Sequence, residues 1–212
     1  MNRWMSQIES DLSWREAELA SLKKSYLDQP INSLNRTALL RALWALLYAH
    51  YEGFCKFALD LYLTEISRNG RTRSEHKTTI AKLSLFKELQ EFKNSMPVGS
   101  LFDFCHTAFL KLMNKKIEFS VKWKGTSNLW PEMLEENLLL AGLPMSQVDQ
   151  HRAKLKLLVG RRNEIAHGKK MVIKNLDEYK YYEDAAYDVM HEVALGVTES
   201  LDKSEYLHSV NP

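Results

Sequence analysis

Three side chains in one short stretch are of types that can do acid–base chemistry at a phosphoryl group: Arg162, Asn163 and His167, in the run VGRRNEIAHGKK. An imidazole, with an ordinary pKa of about 6.5, can take or give a proton near neutral pH. A guanidinium contacts two phosphoryl oxygens at once and stabilises charge that develops on them. Between Arg152 and Lys170 the chain carries seven basic residues, including Arg161, Lys169 and Lys170, against the single acid Glu164. The formal net charge is only +2. A locally basic segment on a nearly neutral chain suits a focused phosphate site better than a broad polyanion-coating surface, although a solvated basic face accounts for it as well.

Placed on a helical wheel, Leu155, Leu158, Val159, Ile165 and Ala166 form one apolar stripe, and Arg162 falls within it. Desolvating an arginine is costly without hydrogen-bonding partners, so Arg162 either pairs with an internal carboxylate or faces a cleft. Beside that stripe runs a polar one, Lys156, Gly160, Asn163 and His167. A helix-interior glycine costs about 1 kcal/mol relative to alanine. Close approach of a partner helix or an RNA strand would account for it, and so would simple tolerance. Arg162 and His167 lie about 140° apart around an ideal helix and about 7.5 Å apart along it. One helix does not readily aim both at one phosphate; two facing copies would, which predicts a homodimer.

The elements that must position these residues read as helices. Residues 1–27 form an amphipathic segment stopped by Gln29-Pro30, and a long helix from Ser33 or Asn35 to Asn69-Gly70 is apolar nearly all round. Such a helix is central to the core or shared with a subunit interface. Shorter helices cover about 80–92 and 100–113, the second with a capping-box-like Ser100-x-x-Asp103. IEFSVKW reads as a short strand or an extended connector. Pro131 opens a helix closed by Gly142 and Pro144, Ser146-x-x-Asp149 opens the motif helix, Gly168 closes it, and Asn175-x-x-Glu178 opens the last. The fold class is all-α, a helical bundle. Residues 1–212 form one domain, with 1–30 set off as an N-terminal helical extension and 202–212 as a flexible tail.

The remaining composition narrows the function. The N-terminus has no apolar core followed by a cleavage site, and the longest apolar run, Ala42 to Ala49, is too short for a membrane span, so a cytoplasmic protein without a membrane partner is expected. Cys55 and Cys105 lie in apolar helical patterns and read as buried thiols. No Cys-x-x-Cys or His-Glu-x-x-His spacing occurs, so no metal and no cofactor are expected. His50 reads as a packing histidine, with Glu52 able to hold Arg162. His106 and His191 read as structural. Tyr179, Tyr181 and Tyr182 could stack on bases, with core packing as the default.

The stretch LLVGRRNEIAHG resembles the Arg-x4-6-His signature of HEPN domains, with asparagine directly after the arginine. RALWALLYAHYEGFCKFALDLYL resembles the long second helix of the MAE-type HEPN-like nucleases, and SNLWPEMLEENLLLAGLP the segment before their motif helix. The resemblance extends from about residue 39 to 201. It implies a HEPN-like helical bundle, a homodimer with juxtaposed motif helices, and metal-independent endoribonuclease activity, in relatives that act as toxins or in antiviral defence. It assigns Arg162 and His167 to the catalytic positions and Asn163 to the adjoining polar one. Arg161, Lys169 and Lys170 are then expected at the substrate, and RNA and an antitoxin or defence-system protein as partners. One HEPN subgroup carries a tyrosine two residues after the histidine, which its nucleotidyltransferase partner modifies. Lys169 stands there, so that partner is not expected. Two other readings stand beside the nuclease: a catalytically silent HEPN domain that binds RNA or nucleotide or scaffolds a complex, and a helical interaction module.

Overall fold

The structure, a computed structural model, describes residues 2–95, 98–120, 123 and 128–208. Its elements are α1 (Arg3–Leu27), α2 (Leu34–Arg68), α3 (Thr78–Ser84), α4 (Phe86–Ser95), α5 (Val98–Asp103), α6 (Phe109–Met113), α7 (Pro131–Ala141), α8 (Ser146–Ala166) and α9 (Leu176–Asp202). Among the described residues the only β-pairings are isolated bridges, Thr72 with Lys116 and His76 with Leu207, so the chain is all-α. The segment 117–123, read as strand or connector, forms no strand where it is described; residues 121–122 lie outside the described residues.

α2 is the axis of the bundle. The Ser33 side chain accepts the Arg36 N–H at its start (3.1 Å), and Gly70, at φ +70°, follows its end. Leu43, Trp44, Leu47, Tyr51, Phe54 and Ala58 are fully buried along it. α1 lies on α2 and so do α8 and α9, so its all-round apolar surface is covered within one chain. That surface is therefore no argument for a subunit interface.

The α1 contact is built around a buried arginine. Ile8, Leu19 and Tyr26 bury apolar surface, and between them Arg15 donates to Asp11 at 2.7 Å. Its guanidinium lies so close to α2 that a Cβ on Gly53 would sit 2.9 Å from Nη1. A larger residue there would require the guanidinium to shift. Lys23 reaches α9 to pair with the buried Glu183 at 2.8 Å. The segment 1–30 is thus packed on the same core as the rest. At the other end, Tyr206 is buried beside Tyr62 and His76, and its carbonyl accepts the Lys77 N–H at 2.9 Å. Packing accordingly extends through 203–208, where a free tail was expected; residues 209–212 lie outside the described residues.

Local signals held in part. Pro131 is the first residue of α7, Gly142 closes it at φ +69°, and the Asn175 side chain accepts the Glu178 N–H at the start of α9 (2.9 Å). Ser100 instead lies inside α5, and its predicted cap is not formed. Ser146 is the first residue of α8 rather than its cap; Glu192 of α9 accepts the Ser146 and Gln147 N–H groups at 3.0 and 2.8 Å. A tertiary carboxylate took the place of a local one. Cys55 is buried, but Cys105 is exposed, at the start of a π-helical turn over 104–108 and one turn after the exposed Leu101 and Phe102.

Candidate active site

α8 reaches the site through a fixed register with α2. The Trp44 indole N–H donates to the Leu158 carbonyl at 3.1 Å, one turn below Arg162. Four residues along α2, Tyr48 is fully buried and its ring lies under the Arg162 guanidinium, 4.4 Å from Cζ to ring centroid. Burial holds the Tyr48 phenol protonated well above its ordinary range, and its oxygen accepts the Leu129 N–H at 2.8 Å. One tyrosine thus fixes the arginine above it and the connector entering α7.

Arg162 resolves the question of pairing or cleft by doing part of each. Its side chain is 29% exposed. Nη1 donates to Asn128 Oδ1 and to Asn163 Oδ1, both at 2.9 Å, and Nη2 comes within 4.0 Å of Glu52. Glu52 is itself drawn to Lys56 at 2.7 Å. The arginine is therefore braced rather than neutralised: a ring on one side, two carboxamides at one nitrogen, and a carboxylate just beyond close ion-pair range. Asn128 was not anticipated as a site residue. The only sequence signal for it was its place at the head of the connector before Pro131.

His167 occupies the C-cap of α8, where the helix gives way to a left-handed residue. Gly168, at φ +72°, donates to the Ile165 carbonyl (3.0 Å) and Lys169 N–H to the Glu164 carbonyl (2.9 Å), a paired closure that ends the helix sharply. The His167 side chain is exposed and has no side-chain partner among the described residues. The loop that follows is tied back to α2, where Arg41 donates to the Lys169 carbonyl at 2.9 Å.

The other expected substrate contacts divide. Lys170 is exposed and without a side-chain partner among the described residues, and Lys169 is 68% exposed with Glu164 at 3.8 Å. Arg161 is engaged elsewhere: it pairs with Glu178 of α9 at 2.6 Å, with Trp44 and Tyr182 against it. Arg152 pairs with Asp149 and Glu135, and Lys156 with Glu132. Acids of α7 and α9 thus pair with three of the seven basic residues, Arg152, Lys156 and Arg161, and the positive charge at the C-terminal end of α8 rests on Arg162, Lys169 and Lys170. Gly160 meets nothing: no heavy atom lies within 4 Å of a Cβ built there. Among the three tyrosines, Tyr179 and Tyr182 are core residues and only Tyr181 is exposed, with Lys154 3.8 Å from its ring centroid. His50 is buried, with Glu18 2.9 Å from Nε2 and Arg15 3.4 Å from Nδ1, and takes no part in the site. Among the described residues no cluster of three or more His, Cys, Asp or Glu could hold a metal ion, and no helix is long and apolar enough to cross a membrane.

The described residues thus form an all-helical bundle with an exposed histidine and a braced arginine on one helix. A family model, HEPN_MAE_28990:/-like HEPN, matches residues 4–206, and the chain belongs to that family. No curated protein and no solved structure matches it.

Proposed function

We propose that this chain is a metal-independent endoribonuclease. The observation that carries the reading is the pairing, on one helix, of an exposed, uncommitted His167 with an Arg162 held ready by Tyr48, Asn128 and Asn163. In the step, the RNA 2′-oxygen attacks the adjacent phosphorus as a base takes its proton. The P–O5′ bond breaks, and an acid protonates the departing 5′-oxygen. His167 serves as base or acid, Arg162 holds the phosphoryl oxygens as charge grows on them, and Asn163 keeps Arg162 in place. Lys169 and Lys170 contact neighbouring phosphates.

One imidazole cannot be base and acid in the same step, so a homodimer that brings two motif helices together supplies both. The bare face of α8 at Gly160, flanked by the exposed Leu157, supports that assembly. Family membership supports a role as a toxin or antiviral-defence effector acting in the cytoplasm and restrained by an antitoxin or defence-system protein.

The deciding experiment incubates the purified protein with RNA, with and without EDTA, and maps the product ends. Cleavage that survives EDTA and leaves 2′,3′-cyclic phosphate and 5′-hydroxyl ends is expected, and a 2′-deoxy or 2′-O-methyl group at the cleaved nucleotide should block it. A magnesium requirement or 5′-phosphate ends would overturn the reading. RNA binding without cleavage would identify a silent HEPN domain.

A further inference from the structure

Asn128 lies on the connector before α7, 34 residues from Arg162 in sequence, and faces it directly at 2.9 Å. A guanidinium offers only donors, so the carboxamide atom turned toward it must be the oxygen. The same holds for Asn163. With both oxygens facing Nη1, each amide nitrogen has its N–H bonds to give elsewhere. The Asn128 amide nitrogen has no partner among the described residues, and the side chain is half-buried. Its backbone is fixed: the next residue, Leu129, is buried and bonded to the Tyr48 hydroxyl at 2.8 Å, and α7 begins two residues later.

A cation flanked by two carboxamides that turn their oxygens to it and have N–H bonds left to donate is complementary to an anion with several oxygens. We propose that Asn128 is a substrate-contacting residue, whose Nδ2–H donates to a non-bridging oxygen of the phosphoryl group that Arg162 holds. Arg162, Asn128 and Asn163 then form a three-sided donor cradle. Glu52, held by Lys56, stands outside it and leaves the cradle positive. The inference rests on the ribonuclease reading for its substrate.

The test is Asn128→Asp. Aspartate keeps an acceptor facing Arg162 and makes that contact an ion pair, but puts a second acceptor where the N–H bonds were. If the carboxamide serves only to hold Arg162, Asn128→Ala should weaken RNA binding no further in an Arg162→Ala background, whereas a phosphate contact of its own predicts a further loss. The expected result for Asn128→Asp is a melting midpoint at or above that of the unsubstituted protein and cleavage slower by about 100-fold, the usual effect of losing one oxyanion donor. Fluorescence anisotropy with an RNA carrying 2′-deoxy at the cleaved nucleotide should show binding weakened about 10-fold. Unchanged cleavage and binding would overturn the assignment. So would a lowered melting midpoint, which would mean that the N–H bonds have a partner inside the fold. If the unsubstituted protein cleaves no RNA, the ribonuclease reading fails by itself, and the anisotropy comparison still decides whether Asn128 contacts the nucleic acid.

Discussion

Tyr48 carries Arg162 on its ring face, 4.4 Å away, while its hydroxyl accepts the Leu129 N–H at 2.8 Å. A core residue of α2 therefore sets both the arginine and the connector that braces it. Tyr48→Phe should keep the ring under the guanidinium but leave a buried N–H unpaired, lowering stability by about 1–3 kcal/mol. Asn128 should loosen with it, so cleavage should fall by more than the loss of folded protein. Chemical denaturation and initial rates, measured on the same samples, check this; equal stability would show that the Leu129 N–H finds another acceptor.

Arg162 is 29% exposed, and water can reach the carboxamides that its removal would leave. Arg162→Ala should therefore abolish cleavage while shifting stability by no more than about 1 kcal/mol. Arg162→Lys keeps the charge but loses the separate nitrogens that let Nη1 be braced while the rest of the guanidinium meets phosphoryl oxygens, and should cleave at least about 100-fold more slowly. Collapse of the fold in Arg162→Ala would instead make the arginine a structural ion.

His167→Ala removes an exposed side chain at a helix end, so cleavage should vanish with the unfolding curve unchanged. Gly168→Ala acts on the same imidazole through the backbone. The left-handed φ of +72° is strained for alanine by roughly 1 kcal/mol, and relief of that strain rotates the C-cap residue before it. Stability and cleavage should both fall, and a Gly168→Asn variant, which tolerates that conformation better, should recover part of each. Full activity in Gly168→Ala would show that the closure does not aim His167.

Acid should destabilise the protein through His50. Burial first, and then the facing Arg15, lowers its pKa, against the raising effects of Glu18 and Asp11. The unfolded chain binds a proton near pH 6.5, whereas the folded chain resists until lower pH. Stability is therefore complete above about 6.5 and declines as the pH falls from there toward the folded-state value. His76, also lowered by burial, acts in the same direction. Melting midpoints between pH 7.5 and 5 should fall in the unsubstituted protein and fall less steeply in His50→Gln. Parallel curves would exclude His50 as the source.

Periodicity and punctuation in the sequence determined the helices, because the residues that start and stop them act within a turn or two: Ser33 on Arg36, Asn175 on Glu178, Pro131 and Gly142 at the ends of α7. The Arg162-Asn163…His167 pattern, together with its flanks, was enough to place the chain in its family. Tertiary structure alone decided what each charge does. Arg161 and Arg162 are neighbours in a basic run, yet a difference of about 100° around α8 turns the first into a salt bridge with Glu178 and the second toward Tyr48, Asn128 and the surface. Glu192 caps α8 from α9, and Asn128 braces Arg162 from the head of α7. Spacing along the chain encodes neither contact, because each depends on how two separately formed helices pack, and packing is set by the shape of the whole core.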